Sequence, residues 1–380
     1  MTPKALKAIE KHFGQLTDPR VDRTKEHKLV DIIAIALCAV ICGAENWVDI
    51  ELYGNSKLVW LRTFLELPHG IPSHDTFGRV FRRIDAQEFQ KVFYEWVIAV
   101  NDLIQGQIVN IDGKCLRGSA DKGLGKRAIY MVSAWASENE IVLGQRKVDQ
   151  KSNEITAIPE LLKMLSISGC IVTIDAMGTQ TEIAQTIVDA QAGYALSVKE
   201  NQGHLFEDIA YLFAVDQAQN FKYASLHYAK TTDSGHGRID IRECWSTSNP
   251  EYLKIIRNAG NWAGLKSIAM IISTRIVGEE QTKSVRYYIT TLSSDAKRIL
   301  HVIRRHWAIE NELHWVLGVA MDEDHNRVHK EQAPENMAVL RHIALNLLKQ
   351  EKTAKGGLHA KQLQAAWNND YLCKILAVGI

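Results

Sequence analysis

The chain has 380 residues, of which 46 % are hydrophobic and 23 % charged, a composition typical of a soluble globular protein with two or three compact units. Its 45 basic and 44 acidic side chains give a net charge of +1, so any nucleic-acid-binding surface must come from local clustering of charge. The six cysteines contain no CxxC pair and fit a reducing cytoplasm. The longest apolar run, residues 29–44, is interrupted by Asp31 and is shorter than the roughly 20 residues that span a bilayer, so no membrane partner is predicted.

Residues 1–103 form the first predicted domain, because their apolar residues recur at helical spacing. After a predicted helix start at Ser73, the apolar side chains from Phe77 to Ile84 fall on one helix face. The sequence therefore predicts an all-helical N-terminal unit.

Residues 104–351 form the second predicted domain, which begins with a change from helical to strand-like periodicity. Three strand-like runs are followed by helix, strand, helix, strand and helix between Gln107 and Phe213. Three consecutive strands predict an antiparallel meander, and the alternation after them predicts right-handed crossovers that add parallel strands. This order predicts an α/β fold with a mixed sheet flanked by helices, as in a ribonuclease-H-like core.

Strand-like runs return between about residues 220 and 292, and we interpret this segment as a β-rich insertion in the second domain. Long helical patterns follow over residues 295–319 and 334–350. Residues 352–380 form a C-terminal tail with one short predicted helix near residues 361–368.

Two carboxylates, Asp112 and Asp175, end apolar strands that are predicted to lie in the same sheet. The carboxyl ends of such strands face the crevice where ligands usually bind, and divalent cations such as Mg²⁺ prefer oxygen ligands. A third acid is predicted at Glu310, which shares one side of a helix with Trp307, whereas Glu312 lies well round the circumference. Each aspartate alone is better explained by a turn or a helix cap. Together the three predict a site for two metal ions that promotes phosphoryl transfer.

Seven short motifs occur in the order expected for one known family. They are HDTFGRVF at 74–81, IDGK at 111–114, IDAMGTQ at 174–180, VKENQ at 198–202, HGRI at 236–239, HWAIENELHW at 306–315 and LRHIALN at 340–346. With these motifs the chain resembles the DDE transposases of bacterial insertion sequences, specifically the H-repeat-associated (ISAs-type) family, from about residue 18 to residue 349.

The resemblance implies a ribonuclease-H-like catalytic core with Asp112, Asp175 and Glu310 as catalytic and metal-binding residues. It implies Mg²⁺ as the cofactor, with Mn²⁺ able to replace it, and strand cleavage followed by strand transfer. The implied partners are double-stranded DNA, both the terminal inverted repeats of a mobile element and a target, and a second copy of the chain on that DNA. Residues 1–103 become a transposase-associated DNA-binding domain, and the expected location is the bacterial cytoplasm, on the nucleoid when DNA is bound. The chain has no GxxxxGK[ST] motif, so no ATP site is predicted.

Seven polar residues around the predicted site are candidate DNA contacts. They are Lys199, Asn201, Gln202, His236, Arg238, Arg304 and Arg305. Lysine and arginine suit phosphates, side-chain amides suit a base edge, and the glycine at 237 allows close backbone approach. The alternatives are a surface loop, a plain turn, and helix arginines that only cover apolar surface.

The sequence departs from the family pattern around the predicted third acid. Ile303, His306 and Leu317 stand where many superfamily members have Tyr, Arg and Lys, and Gly318 stands where close relatives often have Asp. Two alternatives to a transposase follow, an inactive DNA-binding protein derived from one and a nuclease that cuts without strand transfer.

Two other sets of residues near the C-terminus bear on the metal site. The acidic residues 322–324 are an alternative source of the third ligand. Five late histidines suggest zinc, but zinc is disfavoured because they form no HExxH motif and have no cysteine partner.

Overall fold

A computed structural model describes residues 9–100, 105–120, 123, 125, 127–148, 153–221, 225–235 and 237–378 of the chain. Of the residues singled out above, His236 lies outside these ranges.

The N-terminal helices pack around one helix that is apolar on all sides. The helices of this part are α1 (Leu29–Ile41), α2 (Trp47–Ser56), α3 (Leu58–Leu61), α4 (His74–Phe81) and α5 (Ala86–Val100). Every residue of α1 except Val30 is buried, including Asp31, whose pKa is raised to about 6 by burial. The predicted start of α4 is confirmed, since the Ser73 hydroxyl accepts a hydrogen bond from the backbone N–H of Thr76.

Within the described ranges, one mixed sheet of nine strands forms the centre of the fold. Its strands are β1 (Ile108–Leu116), β2 (Ile129–Ala136), β3 (Ile141–Val148), β4 (Ile171–Ile174), β5 (Gly193–Val198), β6 (His227–Gly235), β7 (Arg238–Thr247), β8 (Ser267–Val277) and β9 (Glu280–Thr290). Their order across the sheet is β3-β2-β1-β4-β5-β9-β8-β7-β6.

The first five strands have the predicted ribonuclease-H-like arrangement. β1, β2 and β3 are joined antiparallel, and β4 and β5 are added to β1 in parallel. The fold class predicted from the order of elements is confirmed. The insertion does not form a separate sheet, because its last strand, β9, pairs antiparallel with β5. From β9 the same sheet continues outwards through β8, β7 and β6.

Helices cover both faces of the sheet. The remaining helices are α6 (Glu154–Met164), α7 (Thr181–Asp189), α8 (Gly203–Ala218), α9 (Pro250–Ile255), α10 (Ala296–His306), α11 (Trp315–Val319), α12 (Ala333–Gln350), α13 (Leu358–Trp367) and α14 (Asn369–Ala377). Short 3₁₀ turns occupy Asp22–Thr24, Arg117–Ser119, Glu200–Gln202 and Ala259–Asn261. α10 crosses the face formed by alternate residues of β1, β4 and β5, and α6 packs against β2 and β3.

The predicted continuous helix over residues 295–319 is wrong in its middle, where a π-helical turn, Ile309–His314, separates α10 from α11. Hydrophobic periodicity predicts a helix but does not distinguish an α-helical turn from the wider π-helical one. In this turn Ile309, Leu313 and His314 are buried while Glu310 is exposed. The prediction for the C-terminal tail is incomplete, because a second helix, α14, follows the expected short helix.

α12 joins the N-terminal helices to the sheet. It packs against α1 and α5 on one side and against β3 on the other. The buried Asn336 side chain donates to the backbone oxygens of Phe81 and Ile84, and the buried Asn346 side chain donates to that of Val142. The helical part and the sheet therefore share one core, and the domain boundaries at 103 and 351 stay predictions. Among the described residues, none of the helices has the length and apolar content that crossing a bilayer would require.

Candidate active site

Asp112 and Asp175 lie side by side on two parallel strands. The last parallel pair of β1 and β4 is Ile111 with Ile174, and each aspartate is the next residue. The expectation that Asp112 ends its strand is wrong, since β1 runs on to Leu116 through its antiparallel pairing with β2. The crevice still opens at Asp112, because this is where β4 stops.

The three predicted acids line one pocket of about 180 Å³, which we call the acid pocket. Asp112 comes from β1, Asp175 from the end of β4, and Glu310 from the π-helical turn. The other polar or aromatic lining residues are Thr173, Ser197, Lys199, Arg286, Tyr288, His306 and Trp307. Glu312 instead lines a different depression and pairs with Arg305 at 3.3 Å.

The acid pocket disfavours negative charge on Asp112. Burial raises the pKa of Asp112 to about 7, the Gly113 backbone N–H opposes the rise, and the carboxylates of Glu310, Asp175 and Glu154 add to it. In the described part of the chain, no three histidine, cysteine, aspartate or glutamate side chains are already placed to hold a metal ion together. The three acids thus share a pocket without converging as a finished coordination site.

The loop after β4 is fastened to the segment after β5. Asp175 Oδ1 accepts hydrogen bonds from the backbone N–H groups of Met177 and Gly178 at 3.1 and 3.2 Å. The side-chain amide of Asn201 donates to the backbone oxygen of Ala176 at 2.7 Å, and that of Gln202 donates to the backbone oxygen of Thr179 at 2.8 Å. Asp175 therefore has the turn role considered above in addition to its place in the pocket, and the two amides hold the loop that carries it.

Two histidines flank the acids, of which His314 is buried and His306 is half-buried. His314 Nδ1 lies 3.5 Å from Asp112 Oδ2, and His306 Nδ1 lies 2.9 Å from the Thr173 hydroxyl. Burial lowers the pKa of both histidines to about 4, so both rings are neutral at pH 7. A neutral His314 places Nδ1 beside the Asp112 carboxylate without adding a positive charge to the pocket.

The acidic residues 322–324, considered as an alternative source of the third ligand, belong to another cluster. The Lys114 ammonium lies 2.8 Å from Glu323 and 2.7 Å from Asp324, and Glu323 is only 3 % exposed. A side chain at Gly318 would meet the same cluster, since its Cβ would lie 3.0 Å from Asp324 Oδ2. Glu310 thus keeps its position as the predicted third ligand.

A second depression, of about 770 Å³, adjoins the acid pocket, and we call it the basic groove. Its cationic lining residues are Arg238, Arg242, Arg275, Lys283, Arg286, Arg304 and Arg305. Three of the seven candidate DNA contacts, Arg238, Arg304 and Arg305, therefore lie in the groove, and Lys199 lies in the acid pocket.

Sequence reasoning missed two charged residues at the site. Arg286, in the middle of β9, lines both the acid pocket and the basic groove, and it occurs in no motif. Glu154 begins α6, and its pKa is raised by burial and by Asp175. The one sequence signal for Glu154 is the glycine at 113, because a Cβ there would lie 2.1 Å from Glu154 Oε1.

Comparison with known proteins agrees with the motifs. A family model described as Transposase DDE domain matches residues 104–347, and one described as DDE_Tnp_1-associated matches residues 10–97. The candidate transposase YncI of Escherichia coli O157:H7 is 41 % identical over 377 residues, covering 98 % of this chain and 95 % of that protein. The H repeat-associated candidate transposase YhhI of Escherichia coli K12 is 39 % identical over 376 residues, covering 98 % of both chains.

Among solved structures, a piggyBac transposase synaptic complex with hairpin DNA aligns at 9 % identity with a TM-score of 0.42, covering 99 % of this chain and 79 % of that chain, a similarity too low to support any argument. The family model and the full-length relatives do confirm the resemblance. This chain belongs to the DDE transposases, in the group of the H repeat-associated proteins.

Proposed function

We propose that this protein cleaves DNA at the terminal inverted repeats of an insertion sequence and joins the released end to target DNA. The observation that carries the proposal is the acid pocket, where carboxylates from three separate elements lie together with two cations, Lys199 and Arg286. Carboxylates suit a divalent cation, and lysine and arginine suit the phosphate that would be cut. Water attacks the scissile phosphorus and the bond from phosphorus to the 3′ oxygen breaks, which leaves a 5′ phosphate and a 3′ hydroxyl. This 3′ hydroxyl then attacks a target phosphorus, and the bond from that phosphorus to the 3′ oxygen of the target strand breaks.

The donor set of the acid pocket fits a hard divalent cation. All three proposed ligands, Asp112, Asp175 and Glu310, offer oxygen. Burial, together with repulsion by the other acids, raises the pKa of Asp112, and a nearby positive charge would oppose that rise. Mg²⁺ or Mn²⁺ bound there would supply Lewis-acid polarisation of the phosphate and a more acidic water.

The surrounding side chains would prepare the pocket for its substrate. Lys199 and Arg286 would hold the non-bridging oxygens of the phosphate, and the neutral His314 would lie beside Asp112 without adding a positive charge. The amides of Asn201 and Gln202 keep the Asp175 loop in place, so a base contact would be a second role for them.

The wider partners follow from family membership. We propose that residues 1–103 and the insertion at about residues 220–292 position double-stranded DNA, that two copies of the chain act together on it, and that no ATP is needed. Arg238, Arg304 and Arg305 are proposed phosphate contacts, and His236 remains a proposed contact. All six cysteines are free thiols, in keeping with a bacterial cytoplasmic protein that joins the nucleoid when it binds DNA.

One assay tests this function against its two alternatives. The full chain is incubated with Mg²⁺ or Mn²⁺, a target plasmid, and labelled duplexes that carry the terminal repeats found beside its reading frame. Joined products support the transposase, nicks without joined products indicate a nuclease, and binding without nicks indicates an inactive DNA-binding protein.

The acid pocket itself is tested with a matched pair of variants. Asp112→Asn should abolish nicking and leave binding to the repeat nearly intact, because it removes a proposed metal ligand while preserving shape. Asp189→Asn, at the exposed end of α7, should change neither property. Persistent nicking by Asp112→Asn would overturn the assignment.

A further inference from the structure

The basic groove and the acid pocket lie on the same face of one sheet. Side chains alternate along a strand, so Arg238, Asp240 and Arg242 of β7 share a face. Arg242 pairs in register with Ser273, which pairs with Ser284, and Arg286 is two residues further along β9. The opposite wall of the groove is formed by α10 and the π-helical turn.

The groove concentrates positive charge that the chain as a whole does not have. Seven cations line it against three carboxylates, those of Asp233, Asp240 and Glu312. The lining thus has an excess of four positive charges, although the whole chain has a net charge of only +1. Such local clustering is the electrostatic pattern of a surface that binds a polyanion.

Two aspartates hold the arginines of the groove side by side. Asp240, which is 8 % exposed, lies 2.8 Å from Arg275, 3.4 Å from Arg238 and 3.5 Å from Arg242. Asp233 lies 2.9 Å from Arg242 and 2.5 Å from Arg304. Each guanidinium has five N–H donors, and one carboxylate shared among three guanidiniums cannot engage them all. The remaining donors form a preorganised row for a ligand with regularly spaced anionic oxygens.

Arg286 connects this row to the acid pocket. It lines both depressions, as does Trp307, and its guanidinium lies 5.0 Å from the centre of the Trp307 ring. The last pair of β5 and β9 is Val198 with Tyr287, so the next position along each strand brings Lys199 opposite Arg286. A chain of phosphates can therefore run from the groove past Arg286 to the three acids.

We propose that the basic groove binds the sugar-phosphate backbone of one strand of duplex DNA, next to the phosphate that is cut in the acid pocket. This inference rests on the proposed function for the position of the cut. Binding of DNA in the groove does not depend on cleavage, and the two can fail separately.

The first experiment measures binding in EDTA, so that cleavage plays no part. A fluorescein-labelled 40-bp duplex of arbitrary sequence is titrated with the full chain at several salt concentrations. Removal of one cation that pairs with a DNA phosphate should decrease the steepness of the fall of log affinity with log salt by about 0.9. Arg275→Ala and Arg286→Ala should each show this decrease, and the double variant about twice as much.

The control lies in the same insertion but outside the groove. Lys254 of α9 is exposed and pairs with Glu251 at 2.7 Å, so Lys254→Ala should leave the slope unchanged. If the arginine variants fail to melt like the wild type, Lys283→Ala, at an exposed position of the groove, replaces them. The inference is wrong if the groove variants have the same slope as Lys254→Ala. It is also wrong if they lose binding to a labelled polyglutamate peptide as strongly as they lose binding to DNA.

The second experiment locates the groove on the DNA. Single phosphates around the mapped nick in the terminal repeat are replaced by neutral methylphosphonates. Replacement next to the nick should weaken binding of the wild type and have no further effect on Arg275→Ala. The phosphates that Arg275 contacts are those whose replacement weakens binding of the wild type but not of Arg275→Ala. If these phosphates lie away from the nick, the groove binds DNA elsewhere and the inference is wrong. If the wild type makes no nick, the proposed function fails, and the salt-dependent slopes still decide whether the groove binds DNA.

Discussion

Two groups of carboxylates lie beside β1, the acid pocket at Asp112 and a paired group, Glu323 and Asp324, at Lys114. They differ in the charge of the side chains that they face. In the acid pocket, Asp112 faces other carboxylates, and its pKa rises to about 7 through burial and their repulsion. Two residues along the same strand, Lys114 binds Glu323 and Asp324. Burial alone would lower the pKa of Lys114, but these two acids outweigh it and the pKa is raised. In the paired group the opposite charges offset one another, whereas in the acid pocket burial and neighbouring acids oppose the charge on Asp112, a pattern that functional sites often show.

The largest expected effect comes from removing one acid of the pocket. Glu310→Gln should lower the cleavage rate by about 1000-fold, equivalent to about 4 kcal/mol, because it removes a proposed metal ligand. Its exposed position predicts no loss of stability. Glu323→Gln is the matched control. It should lower the stability of the protein and leave the cleavage rate of the folded protein nearly normal. Single-turnover cleavage and urea unfolding of both variants test this prediction. If Glu323→Gln lost cleavage and Glu310→Gln lost stability, the paired group and not the acid pocket would be the catalytic one.

The next effect concerns the paired group. Lys114→Met should lower the free energy of unfolding by about 3 to 5 kcal/mol, because it leaves Glu323 buried without its counter-charge. Lys147→Met is the control, since the ion pair of Lys147 with Glu335 is more exposed and should contribute only about 1 kcal/mol or less. Urea denaturation measures both, and equal losses would show that the Lys114 group has no special structural role.

A smaller effect should appear in the pH dependence of stability without metal. The pKa of Asp112 is about 7 in the folded protein and near its ordinary 3.8 when unfolded, so stability falls as pH rises through this window. Asp112→Asn removes the free-energy cost of the charged Asp112 in the folded protein. It should therefore raise the free energy of unfolding of the metal-free protein by on the order of 2 kcal/mol at pH 8. Urea unfolding in EDTA should show a smaller gain at pH 5 than at pH 8. An equal gain at both, or a loss at pH 8, would contradict the raised pKa.

The smallest effect concerns Gly318, which lies next to the paired group. Gly318→Asp should destabilise the protein by on the order of 1 kcal/mol relative to Gly318→Ala, because it brings a third carboxylate to Asp324. Cleavage should stay within about twofold of the wild type, since Gly318 adjoins the paired group and not the acid pocket. Thermal melts and cleavage rates measure this, and a large rise in cleavage would show that the two groups act as one site.

What the sequence predicts correctly depends on local patterns. The strand that carries Asp112, the strand that ends just before Asp175 and the helices around them follow from periodicity, and so the order of the first five strands is predictable, although the end of the first strand is not. Glu310 is found because it lies among apolar neighbours in a recognisable motif. The π-helical form of its turn is not predictable, since the spacing of apolar residues does not record the width of a helical turn.

The contacts that the sequence does not predict join residues far apart in the chain. Lys114 and Glu323 are separated by 209 positions, and nothing in either local pattern indicates the pair. Arg286 reaches the acid pocket only because β9 pairs with β5, an arrangement set by long-range register. Arg238, Arg304 and Arg305 are each predictable as single cations, but their common groove appears only once β7 and α10 face each other.

The π-helical turn between α10 and α11 has a consequence for how this protein can be altered. Such a turn is commonly one residue longer than the α-helical turn it replaces, so it amounts to a single-residue insertion within a helix. Deleting one residue here would let an unbroken α-helix form and would shift the residues of the turn by one position relative to the flanking helices. Glu310 and His314 would then lose their common relation to Asp112. The length of this short segment, as much as its residue types, therefore sets where Glu310 and His314 lie.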